Sequence, residues 1–258
     1  MEFVKKCNCP SELAVYNATY TQGWIDHYTN KTRPVKPSDN YWTESSIREP
    51  LIKSFKDNCG YCGRKMGRLL SDRPVGQVDH FLSKSKRPDL VYTWENYVWS
   101  CADCNKGKLD EEEFLDPCNS IEMDYLHFDF ASGKYILKEE FRNNPEALRK
   151  FKSTQKSTLM NETWRGKERE KIFGEIRSSI LEIRRIIEKI ANIEDERRDL
   201  LLDIFRMHYH NLSENLNREE KAYWFLRKKA IRYICKIERI NLAELFFKSR
   251  RLARRFSI

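Results

Sequence analysis

The residues of this chain that could do chemistry lie between two pairs of cysteines. Two C-x-x-C pairs, beginning at Cys59 and Cys101, are separated by 38 residues. Four polar residues lie between these pairs or directly after the second one: Asp79, His80, Asn96 and Asn105. Carboxylate and amide oxygens are ligands that Mg²⁺ prefers, and an imidazole exchanges protons near neutral pH. Together these residue types indicate metal-dependent cleavage of nucleic acid.

The two cysteine pairs have the spacing of a tetrahedral zinc site. Four thiolates can bind one structural zinc ion, and they are Cys59, Cys62, Cys101 and Cys104. The usual spacer between such pairs is about 15–20 residues, so here the zinc would join the two ends of an inserted unit. A redox pair is the alternative, but neither pair lies in the strand-then-helix pattern of a thioredoxin.

The other four cysteines have no evident task in the sequence. They are Cys7, Cys9, Cys118 and Cys235. Cys7 and Cys9, with His27, could bind a second metal, although reduced and unpaired thiols are the favoured interpretation.

The composition favours a soluble globular protein. Apolar residues make up 40% and charged residues 34% of the 258-residue chain, which argues against disorder. No apolar run approaches the roughly 18 residues of a membrane span, and the first residues lack the apolar core of a signal peptide. We therefore expect a cytoplasmic protein with no membrane partner, in a compartment where thiols stay reduced.

The net charge of +9 is unevenly distributed. Residues 1–140 hold 19 Lys/Arg and 22 Asp/Glu (net −3), whereas residues 141–258 hold 29 and 17 (net +12). The attraction for a polyanion is therefore expected in the second half. Four arginines near the end are expected to contact DNA: Arg250, Arg251, Arg254 and Arg255. A basic helical face that is merely solvated is the alternative.

The pattern along the chain predicts an α+β protein that is mainly α. We divide it into a lead-in segment (1–50), a domain with the cysteine pairs (51–140) and a basic helical domain (141–258). Helices are predicted at 12–27 and 45–55, a strand at 77–81, and a hairpin from 127–130 and 135–137. Pro34, Pro37 and Pro50 are expected to interrupt any long helix in the lead-in segment.

Three or four helices are predicted after residue 141, where only two glycines and one proline occur. Six isoleucines recur at steps of three or four, the spacing of one helix face: Ile172, Ile176, Ile180, Ile183, Ile187 and Ile190. We interpret this stripe as core or partner interface. Residues 211–213 and Asn217 are predicted helix breaks.

Three motifs over residues 55–110 resemble the HNH endonucleases. They are Val78-Asp79-His80-Phe81, Trp94-x-Asn96-x-Val98 and Cys101-x-x-Cys104-Asn105-x-x-Lys108. The resemblance implies a ββα-metal finger in which His80 is the general base and Asp79 and Asn105 bind the catalytic ion. Asn96 would hold the loop between the strands. The last motif position is often histidine in this family and is Asn105 here; Mg²⁺ is the expected ion, and Mn²⁺ is the alternative.

Basic residues near these motifs are candidates for phosphate contacts. They are Lys84, Lys86, Arg87, Lys106 and Lys108. The alternative is that they are ordinary surface residues.

A narrower resemblance is to the PtuB-type HNH nucleases of the Septu and retron antiphage systems. It rests on Cys59-x-Tyr61-Cys62, on Asp79-His80-Phe81-x-x-Lys84-Ser85 with Pro88, and on Trp94-x-Asn96-Tyr97. Ser83 departs from the proline that is frequent in that family. The resemblance implies a PtuA-like ATPase subunit and, in retrons, a reverse transcriptase with its DNA/RNA product. The chain has no G-x-x-x-x-G-K-[ST] loop of its own, so any nucleotide dependence needs a partner.

These observations favour a DNA endonuclease that acts as a defence effector. A zinc-ribbon binding or scaffold protein would explain the cysteines and the basic helices, but not the four polar residues around them. A free-standing restriction or homing nuclease would usually need a module that reads sequence, and no helix-turn-helix or zinc-finger array is evident.

Overall fold

The computed structural model describes residues 1–69, 74–189, 195–217, 224–241, 243–245 and 247–249; side chains are described except at 195–199, 216–217 and 224–225. The chain divides into two compact units, Met1–Arg165 and Gly166–Ile258. The first unit contains the lead-in segment as well as both cysteine pairs, so residues 1–50 pack with the domain that follows them. Ile190 and the four arginines at 250–255 lie outside the described residues.

The first unit combines five helices with four short strands over its described residues. The helices are α1 (Glu12–Tyr28), α2 (Ser45–Ser54), α3 (Ala102–Lys108), α4 (Ser120–Asp124) and α5 (Pro145–Ser157). The strands are β1 (Gln77–His80), β2 (Tyr97–Ser100), β3 (Leu126–Asp129) and β4 (Lys134–Leu137). The α+β class, the two early helices, the first strand and the later hairpin are thereby confirmed. Pro50 lies inside α2 and does not end it, so the expected interruption at this position is wrong.

β1, β2 and α3 form the ββα finger that the sequence predicted. β1 and β2 are antiparallel, with Asp79 opposite Val98 and His80 opposite Tyr97. All four residues of β2 are buried, and β1 becomes buried towards its end, at Asp79 and His80. α3 begins directly after Cys101. Gly107 in α3 is required by packing, because a Cβ there would lie 2.1 Å from the carbonyl oxygen of Ser157 at the end of α5.

The lead-in segment is held against the finger by long-range hydrogen bonds. The Lys6 ammonium donates to three carbonyl oxygens, those of Trp94 (2.7 Å), Glu95 (2.8 Å) and Tyr97 (3.1 Å). The indole of Trp94 donates in turn to the carbonyl of Cys7 (3.0 Å). These bonds fix the entry to β2 and join two parts of the chain almost ninety residues apart.

The second unit contains three helices in its described part: the greater part of α6 (Thr163–Lys189), α7 (Asp195–Asn217) and α8 (Trp224–Ile237). Ile176, Ile180 and Ile183 of the predicted stripe are fully buried, with Ile186 in the next turn. Ile172 and Ile187 are only partly buried.

The predicted break at 211–213 is wrong, because these residues lie inside α7. Leu212 is buried, and the Asn211 side chain donates to the Ser179 hydroxyl of α6 (2.9 Å). Asn211, a residue type that favours turns, instead forms a side-chain hydrogen bond between α7 and α6. No helix in the ranges that the structure describes is long and apolar enough to cross a membrane.

Candidate active site and four-cysteine cluster

The four cysteines of the two C-x-x-C pairs meet in one buried cluster. Their sulfur atoms all lie within 4.8 Å of one another, and the Sγ atoms of Cys62 and Cys101 are 4.0 Å apart. Tetrahedral zinc with Zn–S bonds of about 2.3 Å places its sulfur ligands roughly 3.8 Å apart. The thiols therefore fit a zinc ion with little movement, and the cluster is a potential structural zinc site.

Backbone hydrogen bonds hold the first cysteine pair against the finger. The amide of Cys59 donates to the carbonyl of Arg64 (2.8 Å), and the amide of Gly60 donates to that of Trp99 in β2 (2.8 Å). The other pair lies at the start of α3, where the amide of Leu159 donates to the Cys104 sulfur (3.4 Å). Such a bond stabilises a thiolate ligand.

Next to this cluster, the finger lines an open cavity of about 580 Å³. Its wall includes five residues that the sequence analysis named: Asp79, His80, Lys84, Asn105 and Lys106. The lead-in segment adds Tyr28 and Lys36 to the wall. Tyr28 and Lys106, 78 positions apart in the sequence, are thereby brought to one cavity, and the lead-in segment forms part of the candidate site.

His80 is held in a single orientation at the end of β1. Its Nε2 lies 2.9 Å from the carbonyl of Val91; because a carbonyl can only accept, Nε2 carries the proton and Nδ1 keeps its lone pair. The rings of Trp42 and Tyr97 contact the imidazole edge to face at 4.8 and 5.1 Å. Burial, and then the charge of Lys84, lower the His80 pKa well below its ordinary value. The imidazole is therefore neutral at physiological pH.

Asp79 is buried and held by two donors on one oxygen. Its Oδ2 accepts a 2.6 Å hydrogen bond from the Tyr61 hydroxyl and lies 3.5 Å from the Lys108 ammonium. Lys108 also donates to the carbonyl of His80 (3.0 Å). Burial raises the Asp79 pKa, although Lys108 and Tyr61 oppose that shift. Both contacts fall on Oδ2, so the carboxylate is fixed without engaging Oδ1.

Asn105 faces the same cavity from α3. Its amide nitrogen donates to the side-chain oxygen of Gln77 on β1 (3.0 Å), which leaves the amide oxygen as an acceptor. A carboxylate and an amide oxygen on adjoining elements suit a hard divalent cation that keeps most of its shell for water and phosphate. The residues present therefore fit such an ion.

Asn96 lies away from the cavity wall, in the loop between the strands. Its side chain accepts from the amide of Leu82 (2.7 Å) and donates to the carbonyls of Leu82 (3.0 Å) and Leu90 (3.2 Å). These three bonds hold both ends of the loop that follows His80.

The basic residues near the motifs fall into different environments. Lys106 is exposed at the cavity, whereas Lys86 and Arg87 are exposed beside the carboxylates of Glu112 (3.7 Å) and Asp89 (2.7 Å). Lys84 is partly buried, with its ammonium 3.4 Å from His80 Nδ1 and 4.9 Å from the Trp42 ring centre.

Lys108 does not belong in the group of phosphate contacts. Its side chain is 0% exposed, so no phosphate reaches it in this structure. The prediction that Lys108 contacts nucleic acid is therefore corrected: the residue lies beneath the candidate site, bound to Asp79 and to the His80 carbonyl.

The sequence analysis missed Tyr61, Gln77 and Trp42 as parts of the site. Gln77 could have been found, because alternation along a strand puts it on the same face of β1 as Asp79. Tyr61 is evident in the sequence as an aromatic residue between Cys59 and Cys62. The sequence around it does not show that its hydroxyl donates to Asp79. Trp42 carries no signal, since its contact with His80 depends on how the lead-in segment packs.

The remaining thiols near the N-terminus have other partners. The sulfur of Cys7 donates to the carbonyl of Pro50 (3.3 Å), and that of Cys9 to the carbonyl of Pro10 (3.5 Å). His27, the third member of the suggested second metal site, contacts the carbonyl of Arg33 through Nδ1 (2.9 Å).

Comparison with known proteins agrees with this geometry. Residues 59–111 match the HNH endonuclease family model, and they contain all four cysteines and the whole ββα finger. The chain is also 30% identical over 138 residues to the Septu protein PtuB of Bacillus thuringiensis. The match covers 54% of this chain and 49% of the relative, so the chain spans about half the length of the curated relative it matches. No solved structure matches the chain.

The family match and the ββα finger concern the same residues of the chain. Residues 59–111 therefore form a region that matches the HNH endonucleases, and the chain is similar to PtuB over the matched part of its length.

Proposed function

We propose that this chain is a metal-dependent endonuclease that hydrolyses phosphodiester bonds of DNA in antiphage defence, together with an ATPase subunit. The observation that carries the proposal is the state of His80. Its Nε2 donates to the Val91 carbonyl, which leaves Nδ1 as the basic nitrogen, and the His80 side chain lines a cavity that Asp79 and Asn105 also line.

In this proposal His80 is the general base. Nδ1 accepts a proton from a water molecule, and the resulting hydroxide oxygen attacks the phosphorus. The bond from phosphorus to the leaving 3′-oxygen breaks, and that oxygen takes a proton from solvent. Because the hydrogen bond to Val91 fixes the ring, little reorientation is needed at the moment of proton transfer.

Asp79 and Asn105 would hold the divalent ion, Mg²⁺ or alternatively Mn²⁺, through oxygen atoms. When bound, such an ion polarises the scissile phosphate and stabilises the leaving oxygen. Lys108 and Tyr61 keep the Asp79 carboxylate in place, and Asn96 keeps the loop after His80 closed. Lys84 and Lys106 supply positive charge at the cavity where the phosphate would lie.

The four-cysteine cluster has a structural role in this proposal. We expect it to bind zinc and to join the Cys59–Cys62 turn to the start of α3. Reduced thiols in this arrangement suit the cytoplasm, where we place the protein.

The ATPase partner follows from the likeness to PtuB and not from a contact seen in this chain. The relative's name assigns it to Septu, and PtuB-type nucleases are the family for which a PtuA-like ATPase is expected. A retron reverse transcriptase and its DNA/RNA product stay a prediction.

A cleavage assay with the purified full chain tests the proposal. The chain is incubated with plasmid DNA and, separately, with tRNA, alone and with an ATPase encoded beside it, in Mg²⁺, Mn²⁺ or EDTA. We expect DNA cleavage that requires the divalent ion and is lost in His80→Ala. His127→Ala is the matched control, because His127 is exposed on the β3–β4 hairpin and does not line the cavity.

Two results would contradict the proposal. Equal cleavage by the wild type and His80→Ala would remove His80 as the base. Zinc-loaded, folded protein that binds DNA but never cuts it, with or without the ATPase, would favour a binding or scaffold role. Cleavage of tRNA but not of DNA would support phosphodiester hydrolysis and would make RNA the substrate in place of DNA.

A further inference from the structure

A second cavity adjoins the candidate active site along β1. It has a volume of about 500 Å³. Gln77, Val78, Lys84 and Asn105 line both cavities, so the hydrogen-bonded pair of Gln77 and Asn105 lies between them. A polynucleotide with its scissile phosphate beside His80 must leave the first cavity on one side or the other, and this second cavity is one such exit.

The wall of the second cavity is positively charged. Among the residues that the structure describes there, Arg48 and Lys84 are basic and none is a carboxylate. The rest of the wall is largely apolar or amide, including Trp42 and the segment from Pro74 to Val78. This composition favours an anion over a cation.

Arg48 on α2 is the feature that calls for a ligand. Its Nε is buried and has no hydrogen-bond partner, and its guanidinium forms no ion pair within the described part of the chain. Other arginines nearby are matched: Arg68 pairs with Glu49 at 2.7 Å and Arg87 with Asp89 at 2.7 Å. A buried donor without a partner is destabilising, so this arginine does not hold the fold together.

We propose that Arg48 binds a backbone phosphate of the nucleic-acid strand next to the scissile one, inside this second cavity. A guanidinium presents a planar set of donors that suits phosphate oxygens. A phosphate in the cavity would accept from the terminal nitrogens of the guanidinium, because Nε itself is buried, and would neutralise a charge that has no ion-pair partner among the described residues. The inference rests on the proposed function, because it assigns a subsite for the substrate of the same active site.

Binding measurements over a range of salt concentrations test this subsite. The full chain, with His80→Ala to prevent cleavage, is titrated into a fluorescein-labelled DNA duplex. Losing one phosphate contact should reduce the slope of log K against log salt by about 0.9. We expect Arg48→Met to show that reduction and an affinity about tenfold weaker, whereas Arg48→Lys should keep the slope.

Arg68→Met is the matched control, because it removes the same charge from an arginine already paired with Glu49. It should leave the slope unchanged. Thermal unfolding provides the second readout: Arg48→Met should be at least as stable as the parent, since the guanidinium has no partner to lose.

The results separate this inference from the proposed function. If the wild type cuts DNA but Arg48→Met binds with unchanged slope and affinity, only the subsite is overturned. The same holds if Arg68→Met reduces the slope as much as Arg48→Met, because the effect would then be one of general charge. If the wild type neither binds nor cuts DNA, the subsite and the proposed function both fall.

Discussion

The two sides of the ββα finger are built from different kinds of contact. On one side, four cysteines meet through short local segments, the turn after α2 and the start of α3. On the other side, the candidate catalytic residues are held by partners from distant parts of the chain, such as Tyr61 for Asp79 and Trp42 for His80. The four-cysteine cluster is therefore defined by sequence spacing, and the candidate catalytic side by tertiary packing.

Tyr61 and Lys108 join the two sides. Tyr61 lies between two of the cysteines and donates to Asp79, whereas Lys108 ends the helix that carries Cys104 and contacts Asp79 and the His80 carbonyl. The segments that carry the four cysteines therefore also contribute side chains to the candidate active site. The same segments carry the donors that hold Asp79, the candidate metal ligand, so we expect the two sides to respond differently to substitution.

The largest effect is expected on the cysteine side. Cys104→Ser removes a thiolate ligand at the start of α3, and structural zinc contributes folding energy directly. We expect the variant to lose its zinc and the folded finger, as measured by elemental analysis and thermal unfolding. Cys235→Ser is the control, because Cys235 is also buried but is not a member of the cluster. A zinc-free Cys104→Ser protein with unchanged stability would contradict the structural role.

The next largest effect is expected at the base. His80→Ala should lower the rate of cleavage by about 10²–10⁴-fold while zinc content and thermal stability stay near those of the wild type. This result would show that the two sides of the finger have separate roles, because His80→Ala would slow cleavage without unfolding the finger, whereas Cys104→Ser would unfold it. Loss of zinc in His80→Ala would instead show that the two sides cannot be separated.

The parts of the fold and of the candidate site that depend on local sequence could be predicted, and those that depend on tertiary packing could not. Cysteine spacing and the family motifs predicted the finger, the cluster and five of the residues that line the cavity. The sequence analysis placed Lys108 at the surface. Lys106 lies two residues before it in a charged stretch, and nothing in the sequence distinguishes the environments of the two lysines. The burial of Lys108 depends on the turn of α3 that faces β1, and on Gly107 letting α3 approach α5. Tertiary packing of this kind has no local signal.

A smaller and more specific effect is expected for Lys108. Removing one partner from a buried ion pair leaves the other charge without compensation, at a cost of about 3–5 kcal/mol. Lys108→Met should therefore lower the free energy of unfolding by about that amount, as measured by urea denaturation. Adding Asp79→Asn should restore much of the loss, since no buried charge is then left unpaired. If the double variant is less stable than Lys108→Met, the interaction with Asp79 is not what Lys108 provides.

The smallest effect is expected for Tyr61→Phe, which tests whether the cysteine side positions the catalytic side. The variant keeps the ring and its edge contact with Phe114 but loses the 2.6 Å hydrogen bond to Asp79. A hydrogen bond to a charged group contributes about 1.5–3 kcal/mol, and Lys108 still holds the carboxylate. We expect modest destabilisation with normal zinc content. Because Asp79 is then less well fixed, cleavage should need a higher concentration of divalent ion.

Tyr92→Phe is the control for that readout. It removes a hydroxyl from an equally buried ring, but this hydroxyl donates to the backbone carbonyl of Asp39 (3.2 Å) and not to the catalytic carboxylate. It should lose some stability and keep the wild-type dependence on the divalent ion. If both variants shift that dependence equally, Tyr61 acts only through general packing. If only Tyr61→Phe changes the dependence on the divalent ion, Tyr61 is a positioning residue: through it the turn at Cys59–Cys62 orients the Asp79 carboxylate.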